Sequence, residues 1–249
     1  MAKVAMTMIR KLTPRIYQLS GPFGTGIWGV NVFLLIDKGL TLVDTGFRGR
    51  WRQIIKEVRQ LGYSPSDIAS IIITHHHADH TGSLAKLKEA TKARVLAHPA
   101  DAPYIDGRLA PPGPAQPSWL SRILTRFPGL WAAPSVTVDG LLNDGDELPL
   151  LGGARVWHTP GHTPGSISLF LAQERLLIAG DVLAKRFRLG LPSLAFTADI
   201  AQEINSIKRL AGLDFDIICF GHGGPICHQA RQRVINLAVR LDSKNRGRS

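Results

Sequence analysis

The sequence contains few cysteines and no long apolar run. Its 249 residues include two cysteines, Cys219 and Cys227, which are too few for a disulfide framework. Cys219 lies in an apolar segment, so we expect a buried thiol there. No uninterrupted apolar stretch follows the N-terminal residues, and we therefore expect neither a signal peptide nor a membrane span. These absences predict a cytoplasmic protein of a bacterium or archaeon that is stabilised by an apolar core.

Acidic residues are scarce as well. The chain has 19 Asp and Glu against 30 Lys and Arg, which gives a formal net charge of +11. Two stretches, 107–138 and 182–198, contain no acid, and residues 243–249 are interpreted as a basic flexible tail. A positive field attracts anionic substrates, nucleic acids or acidic surfaces without specifying which of them binds. The basic residues of the two stretches are Arg108, Arg122, Arg126, Lys185, Arg186 and Arg188.

The apolar pattern predicts strands and helices in both halves of the chain. Each half has strands followed by helices, which predicts one domain over residues 1–249 with two similar layers packed face to face. The predicted strands are 30–36, 40–43, 68–74, 94–97, 154–158, 166–171, 175–179 and 216–220. The predicted helices are 50–61, 82–92, 199–210 and 228–241.

Residues 99–134 break this pattern. The segment holds four closely spaced prolines, between Pro111 and Pro117, and then apolar residues at helical spacing that include Trp119 and Phe127. A helix here could pack on the domain, cover a substrate as a lid, or form the contact of a homodimer. Amphipathic spacing does not separate these three alternatives.

Four side chains of metal-ligand type follow one predicted strand. They are His75, His77, Asp79 and His80. Side chains two apart on an extended segment point the same way, so His75 and His77 can bind one cation together. Asp79 and His80 lie just beyond, within reach of a second cation roughly 3.5–4 Å away.

Three more candidate ligands and one carboxylate occur at strand ends beside glycine. They are His162, Asp181, His222 and Asp44. A single histidine or aspartate in such a place is most often structural. Seven ligand-type side chains converging on one edge would, however, leave buried polar atoms unpaired without a cation. The remaining histidines, His76, His98, His158 and His228, are interpreted as structural.

At these residues the sequence resembles the metallo-β-lactamase-fold hydrolases. The family motif His-x-His-x-Asp-His is matched at every position from His75 to His80, and the single-residue motifs are matched in order over roughly residues 16–226. The resemblance implies an α+β fold of four layers, an αββα sandwich with two mixed sheets face to face, helices outside and the metals at one edge.

The resemblance also implies a dinuclear site for two divalent cations, zinc first, with iron or manganese as alternatives. His75, His77 and His162 would bind the first metal, Asp79, His80 and His222 the second, and Asp181 both. Asp44 would orient a ligand histidine. A hydroxide formed between the metals would attack a carbonyl carbon or a phosphorus, and Asp79 would pass a proton to the leaving group.

Within the family, Asp181 argues against a true β-lactamase, which lacks a bridging aspartate there. The short stretch 223–249 weakens a glyoxalase II assignment, and the absence of a tyrosine shortly after Asp181 weakens an acyl-homoserine lactonase assignment. We expect hydrolysis of a small ester, lactone or thioester. The alternatives are a tRNA-processing type of phosphodiesterase and a non-catalytic metal or ligand sensor. The expected substrate contacts are Trp119 and Phe127 in an apolar wall, with Lys185, Arg186 or Arg188 on an anionic group.

Overall fold

The computed structural model describes residues 8–20, 29–110, 133–185 and 188–246. Within these residues the first sheet has seven strands that follow chain order. Strands β1 to β4 pair antiparallel and β4 to β7 pair parallel. The strands are β1 (Met8–Thr13), β2 (Ile16–Ser20), β3 (Asn31–Ile36), β4 (Leu40–Val43), β5 (Ile68–Ile72), β6 (Arg94–Ala97) and β7 (Gly140–Leu141).

The second sheet is also mixed. Its five strands are β8 (Glu147–Leu148), β9 (Ala154–His158), β10 (Ile167–Leu171), β11 (Leu176–Ile178) and β14 (Ile217–Cys219). They lie in the order β14-β11-β10-β9-β8, with β14 parallel to β11 and the other pairs antiparallel. A separate hairpin is formed by β12 (Ala184–Lys185) and β13 (Leu189–Gly190).

Helices cover the outer face of each sheet. On the first sheet these are α1 (Trp51–Gln60) and α3 (Leu84–Thr91), and the one-turn helices α2 (Ala78–Thr81) and α4 (Ala102–Ile105) follow β5 and β6. On the second sheet they are α5 (Ile200–Ala211) and α6 (Ala230–Arg246). No helix among the described residues is long and apolar enough to cross a membrane.

Alternation along the strands separates three apolar clusters. In β3, Val32 and Leu34 face α1 and α3, whereas Phe33 and Leu35 face the second sheet. In β11, Leu177 packs with α5 and α6, while its neighbours on either side pack between the sheets. Because successive side chains of a strand point to opposite faces, these two strands define four layers. The predicted αββα sandwich is confirmed.

Several predicted boundaries differ from the structure. The strand predicted over 68–74 ends at Ile72, and the helix predicted over 82–92 is α3, which spans Leu84–Thr91 and follows the separate one-turn helix α2. Within the basic tail predicted over 243–249, α6 continues to Arg246, and the Ser243 hydroxyl donates a hydrogen bond to the Val239 carbonyl oxygen inside that helix. Residues 247–249 lie outside the described residues, so the flexibility of the tail stays a prediction. Of the segment 99–134, residues 111–132 lie outside the described residues, so its role as lid, dimer contact or packed helix stays a prediction.

Two of the histidines that were interpreted as structural connect the two sheets. The rings of His98, after β6, and His158, at the end of β9, stack with centroids 3.9 Å apart and an interplanar angle of 12°. The His98 Nδ1 accepts a hydrogen bond from the Ala100 amide at 3.2 Å, and the His158 Nε2–H donates to the Pro164 carbonyl oxygen at 2.9 Å. Burial, followed by the neighbouring His158, lowers the pKa of His98 to about 4.

This stack predicts a pH dependence of stability. The unfolded chain protonates His98 near its ordinary pKa of about 6.5, whereas the folded chain resists protonation until about pH 4. The free energy of unfolding should therefore fall as the pH drops from 6.5 towards 4. Replacing His98 with Phe keeps a ring and removes the titration, so His98→Phe should lose less stability than the wild-type chain over that range. Urea unfolding of both proteins at pH 7.5 and pH 5, with chelator present, measures the difference. If the free energy of unfolding fell equally in the two proteins, the lowered pKa of His98 would not be the cause of the loss.

Candidate metal centre

Four candidate ligands lie on one short stretch between β5 and α2. The chain leaves β5 in an extended conformation and turns into α2 directly after His77, whose carbonyl oxygen accepts hydrogen bonds from the amides of His80 and Thr81 at 2.9 and 3.0 Å. His75 and His77 therefore lie on the extended part and Asp79 and His80 on the first helical turn. The structure brings all four to the same edge of the two sheets.

The other three candidate ligands come from the second sheet. His162 lies in the β9–β10 connection, Asp181 follows β11 and His222 follows β14. Asn31 of the first sheet fixes the His222 turn, because its side-chain amide donates to the carbonyl oxygens of Phe220 and Gly223 at 2.8 and 2.7 Å. The two sheets thus present their ligands to a common space.

The seven side chains form two groups with one shared carboxylate. Ligand atoms of His75, His77 and His162 lie within 4.8 Å of one another, and so do those of Asp79, His80 and His222. Asp181 faces both groups. Its Oδ2 is 3.7 Å from the His162 Nε2 and 3.2 Å from the His222 Nε2, and its Oδ1 is 3.7 Å from the His80 Nε2. This arrangement can hold two cations with Asp181 between them.

Asp44 orients one of the histidines. It lies directly after β4 with φ of 64°, a left-handed conformation that aspartate tolerates better than most residues. Its Oδ1 accepts from the Thr74 amide at 2.8 Å, and its Oδ2 accepts from the Thr74 hydroxyl at 2.8 Å and from the His80 Nδ1–H at 2.7 Å. Asp44 therefore keeps a proton on Nδ1, and the His80 Nε2 faces the site as the atom that would bind a cation.

Three further imidazoles are oriented in the same way, with Nδ1 outward and Nε2 inward. The Nδ1 of His75 lies 3.1 Å from the Thr74 hydroxyl, that of His162 3.3 Å from the Thr197 hydroxyl, and that of His222 3.2 Å from the Gly29 carbonyl oxygen. His77 is the exception, since its Nδ1 faces inward, 3.1 Å from the His162 Nε2. Such outer hydrogen bonds fix the tautomer of a metal-binding histidine.

Buried polar atoms without partners test whether cations fit here. The Nε2 atoms of His75 and His80 and the Oδ1 of Asp181 are buried and make no hydrogen bond to any of the described residues. A buried lone pair without a partner is unfavourable, and imidazole nitrogen together with carboxylate oxygen is the donor set that zinc prefers. The residues present therefore fit divalent cations.

The pKa values of the candidate ligands show which of them are charged. Burial and the neighbouring histidines hold the pKa of His75 and of His77 well below the ordinary value. Burial likewise lowers the pKa of His162 to about 4, with Asp181 opposing it. For Asp79 and Asp181 burial favours the acid, yet nearby His80 and His222 outweigh it and hold the pKa of both carboxyls well below its usual range. The first group therefore offers neutral imidazoles, and the site as a whole offers ionised carboxylates, the forms in which both bind metals.

Two histidines of the second group hold protons unless a cation replaces them. Against the opposing effect of burial, three carboxylates (Asp44, Asp79 and Asp181) raise the pKa of His80 to about 9. Asp181 and Asp79 raise the pKa of His222 to about 11, again against burial. A divalent cation supplies the same compensating charge, so its binding at this group should release protons.

The predicted substrate contacts are only partly described. Lys185 is half-buried on β12, with its amine 3.5 Å from the Pro225 carbonyl oxygen, three residues beyond His222. Arg188 is exposed beside β13. Trp119, Phe127 and Arg186 lie outside the described residues.

Sequence reasoning missed the residues that support the ligands. These residues are Thr197, Asn31 and Asp101, and each bonds to a residue that is distant in the chain. Thr197 is 35 positions from His162, Asn31 is 189 positions from Phe220, and Asp101 is 64 positions from Gly165. No local motif marks Thr197 or Asn31. Asp101 carried one signal, since an aspartate placed after a buried strand resembles the context of Asp44 and Asp181.

Comparison with known proteins agrees with this geometry. The model of the metallo-β-lactamase superfamily matches residues 25–222. A probable metallo-hydrolase of Bacillus subtilis, YflN, is 33% identical over 219 residues, which cover 81% of this chain and 82% of the relative. The chain therefore belongs to the metallo-β-lactamase superfamily.

Other relatives and solved structures extend the comparison. A hydroxyacylglutathione hydrolase of Rhodospirillum rubrum is 28% identical, over 77% of this chain and 59% of the relative. A metallo-β-lactamase family protein of Thermus thermophilus has a TM-score of 0.69 at 27% identity, over 94% of this chain and 81% of that one. A metallo-β-lactamase of Cronobacter sakazakii has a TM-score of 0.71 at 24% identity, over 96% and 97%, which supports the fold alone.

A glycine beside the site permits the close approach of two candidate ligands. A Cβ atom at Gly221 would lie 2.1 Å from the Asp181 Oδ1 and 2.6 Å from the His80 Cε1. Gly221→Ala should therefore displace the shared carboxylate and reduce zinc affinity by at least about tenfold. Zinc titration against a competing chromophoric chelator measures this change.

Gly190→Ala is the matched control, because a Cβ at Gly190 meets nothing within 4 Å. It should leave zinc affinity unchanged. Equal affinities in Gly221→Ala and the wild-type chain would contradict the close packing of Asp181 and His80 against this turn.

Proposed function

We propose that this chain is a dinuclear metal-dependent hydrolase that cleaves a small ester, lactone or thioester. The observation that carries the proposal is the pair of ligand groups that share Asp181, with buried lone pairs on His75, His80 and Asp181 itself. His75, His77 and His162 would hold one cation and Asp79, His80 and His222 the other. The nitrogen-rich donor set favours zinc, and iron or manganese could use the same ligands.

When bound, the two cations supply a lowered pKa for water and a positive charge that polarises the substrate oxygen. The chain's own residues do the rest. Asp44, Thr197 and the Gly29 carbonyl oxygen fix the imidazole rings, and Asp181 keeps the two ligand groups together. These contacts set the positions before substrate arrives, which limits the reorganisation needed during the reaction.

The second ligand group faces solvent. The side chains of Asp79 and His222 are each 23% exposed, whereas that of His80 is fully buried. His77 of the first group is also partly exposed, so substrate would reach the site past His77, Asp79 and His222. An ionised Asp79 at this opening would take up the proton released from the attacking water and pass it to the departing oxygen or sulfur.

Two considerations favour a small ester, lactone or thioester as the substrate. Relatives include hydroxyacylglutathione hydrolases, of which the Rhodospirillum rubrum protein aligns over 59% of its own length, so thioesters belong among the first compounds to assay. Lys185, close to the His222 turn, would meet an anionic group of the substrate. We also propose a cytoplasmic location.

Replacement of Asp181 with Asn tests the proposal. Asparagine keeps the shape but removes the negative charge shared by the two groups, so turnover should fall at least roughly 100-fold. The measurement is the hydrolysis rate of zinc-loaded protein on a panel of thioesters, lactones, simple esters, phosphodiesters and β-lactams.

Asp214→Asn provides the matched control, because Asp214 is an exposed partner of Arg175 on the surface and its loss should leave turnover intact. Equal turnover in Asp181→Asn and the wild-type chain would contradict a role for this centre. Cleavage confined to phosphodiesters would transfer the assignment to the nuclease alternative, and a metal-loaded chain inactive on the whole panel would favour a sensor.

A further inference from the structure

A further buried carboxylate, that of Asp101, lies beside the metal centre and is not one of the seven candidate ligands. It stands between β6 and α4 and is 1% exposed. Aspartate immediately before a helix usually accepts hydrogen bonds from the first helical amides. The Asp101 side chain makes no such bond to α4. Its carboxylate is turned away from the helix and towards two loops of the site.

Four hydrogen bonds join Asp101 to those loops. Its Oδ2 accepts from the His76 amide at 2.8 Å, from the His76 Nδ1–H at 2.9 Å and from the Thr163 hydroxyl at 2.8 Å. Its Oδ1 accepts from the Gly165 amide at 2.7 Å. His76 stands between the candidate ligands His75 and His77, and Thr163 directly follows His162. One carboxylate therefore binds the neighbours of all three ligands in the first group.

The β9–β10 loop is packed tightly on this carboxylate. A Cβ at Gly165 would lie 2.5 Å from the Asp101 amide nitrogen and 2.7 Å from both its Cβ and its Oδ1. A side chain at Gly165 would separate the loop from Asp101. The strand ends behind the two loops are already joined by the bond from the Ile167 amide to the Thr74 carbonyl oxygen at 2.9 Å. Asp101 extends this connection to the segments that carry the ligands.

We propose that Asp101 is a positioning residue for the first metal, which sets the separation between the loop of His75 and His77 and the loop of His162. The inference rests on the proposed function, since it assumes the two metal groups described above. It distinguishes the roles of two buried carboxylates. Asp44 binds Thr74 and His80, whereas Asp101 binds on either side of the first ligand group alone.

The hydrogen bonds to Asp101 also contribute to folding, so loss of stability alone would not establish the inference. The informative measurement is zinc affinity in two backgrounds. His222→Ala removes a ligand of the second group and keeps the first group complete. His162→Ala removes a ligand of the first group and keeps the second group complete. Asp101→Asn is then added to each. Asparagine keeps the shape of aspartate but directs an NH2 group at one of the present donors, which opens the contact between the loops.

The expected result is site-selective. In the His222→Ala background Asp101→Asn should weaken the remaining zinc by at least about tenfold. In the His162→Ala background it should change the remaining affinity by less than about threefold, because the Asp101 carboxylate bonds to His76, Thr163 and Gly165 and to no ligand of the second group. Affinities come from zinc titration of the chelator-treated protein against a competing dye. The visible spectrum of the cobalt-loaded protein reports the same loss through a changed ligand field.

Two further variants keep the test decisive if Asp101→Asn folds poorly. Thr163→Val preserves shape and removes one of the four bonds, so it should weaken the same metal to a smaller extent. Asp139→Asn is the matched control, since Asp139 also accepts hydrogen bonds from a backbone amide, Val95, and from a side chain, Lys88, but at the other end of β6. It should leave both zinc affinities unchanged.

Equal losses in the two backgrounds, or no loss in either, would overturn the inference and leave the proposed function intact. A wild-type chain that binds no zinc would overturn both. Two tight zinc ions in the wild-type chain, with selective loss of the first on removal of the Asp101 carboxylate, is the result that supports the role.

Discussion

Buried polar atoms on three side chains are the constraint on which the site depends. Among the described residues, the Nε2 atoms of His75 and His80 and the Oδ1 of Asp181 lie buried without hydrogen-bond partners. Each such atom costs about 1–3 kcal/mol. Cations bound by these atoms would remove that cost and release the proton that His80 otherwise holds. Metal binding and local stability are therefore expected to be coupled here.

Strands of both sheets end at one edge, and this places the candidate ligands and the residues that support them close together. Asp44, after β4, and Asp101, after β6, orient ligands on the first sheet, while Asn31 holds the His222 turn of the second. Because these supports are buried and bonded to backbone, they persist whatever lies in the opening. Two divalent cations would also outweigh the negative charge of Asp44, Asp79 and Asp181.

The sequence predicts the ligand set well because metal chemistry restricts residue type and spacing within a few positions, as from His75 to His80. It predicts the layers for a similar reason, since the continuous apolar runs in β3 and β11 indicate strands that are buried on both faces. Supports such as Thr197 and Asp101 are not predictable in this way. Their partners lie tens of residues away, and only the folded chain brings them together. The strand predicted to reach residue 74 ends at Ile72, because the residues that follow belong to the extended segment that carries His75 and His77. Hydrophobicity does not mark this boundary.

The most direct test of the central claim is anomalous X-ray diffraction from crystals of the wild-type chain grown with zinc, recorded on both sides of the zinc edge. The account predicts two anomalous peaks roughly 3.5–4 Å apart. One should lie among His75, His77 and His162, and the other among Asp79, His80 and His222, with Asp181 between them. A single peak, or peaks outside these residues, would contradict a dinuclear centre built by this ligand set.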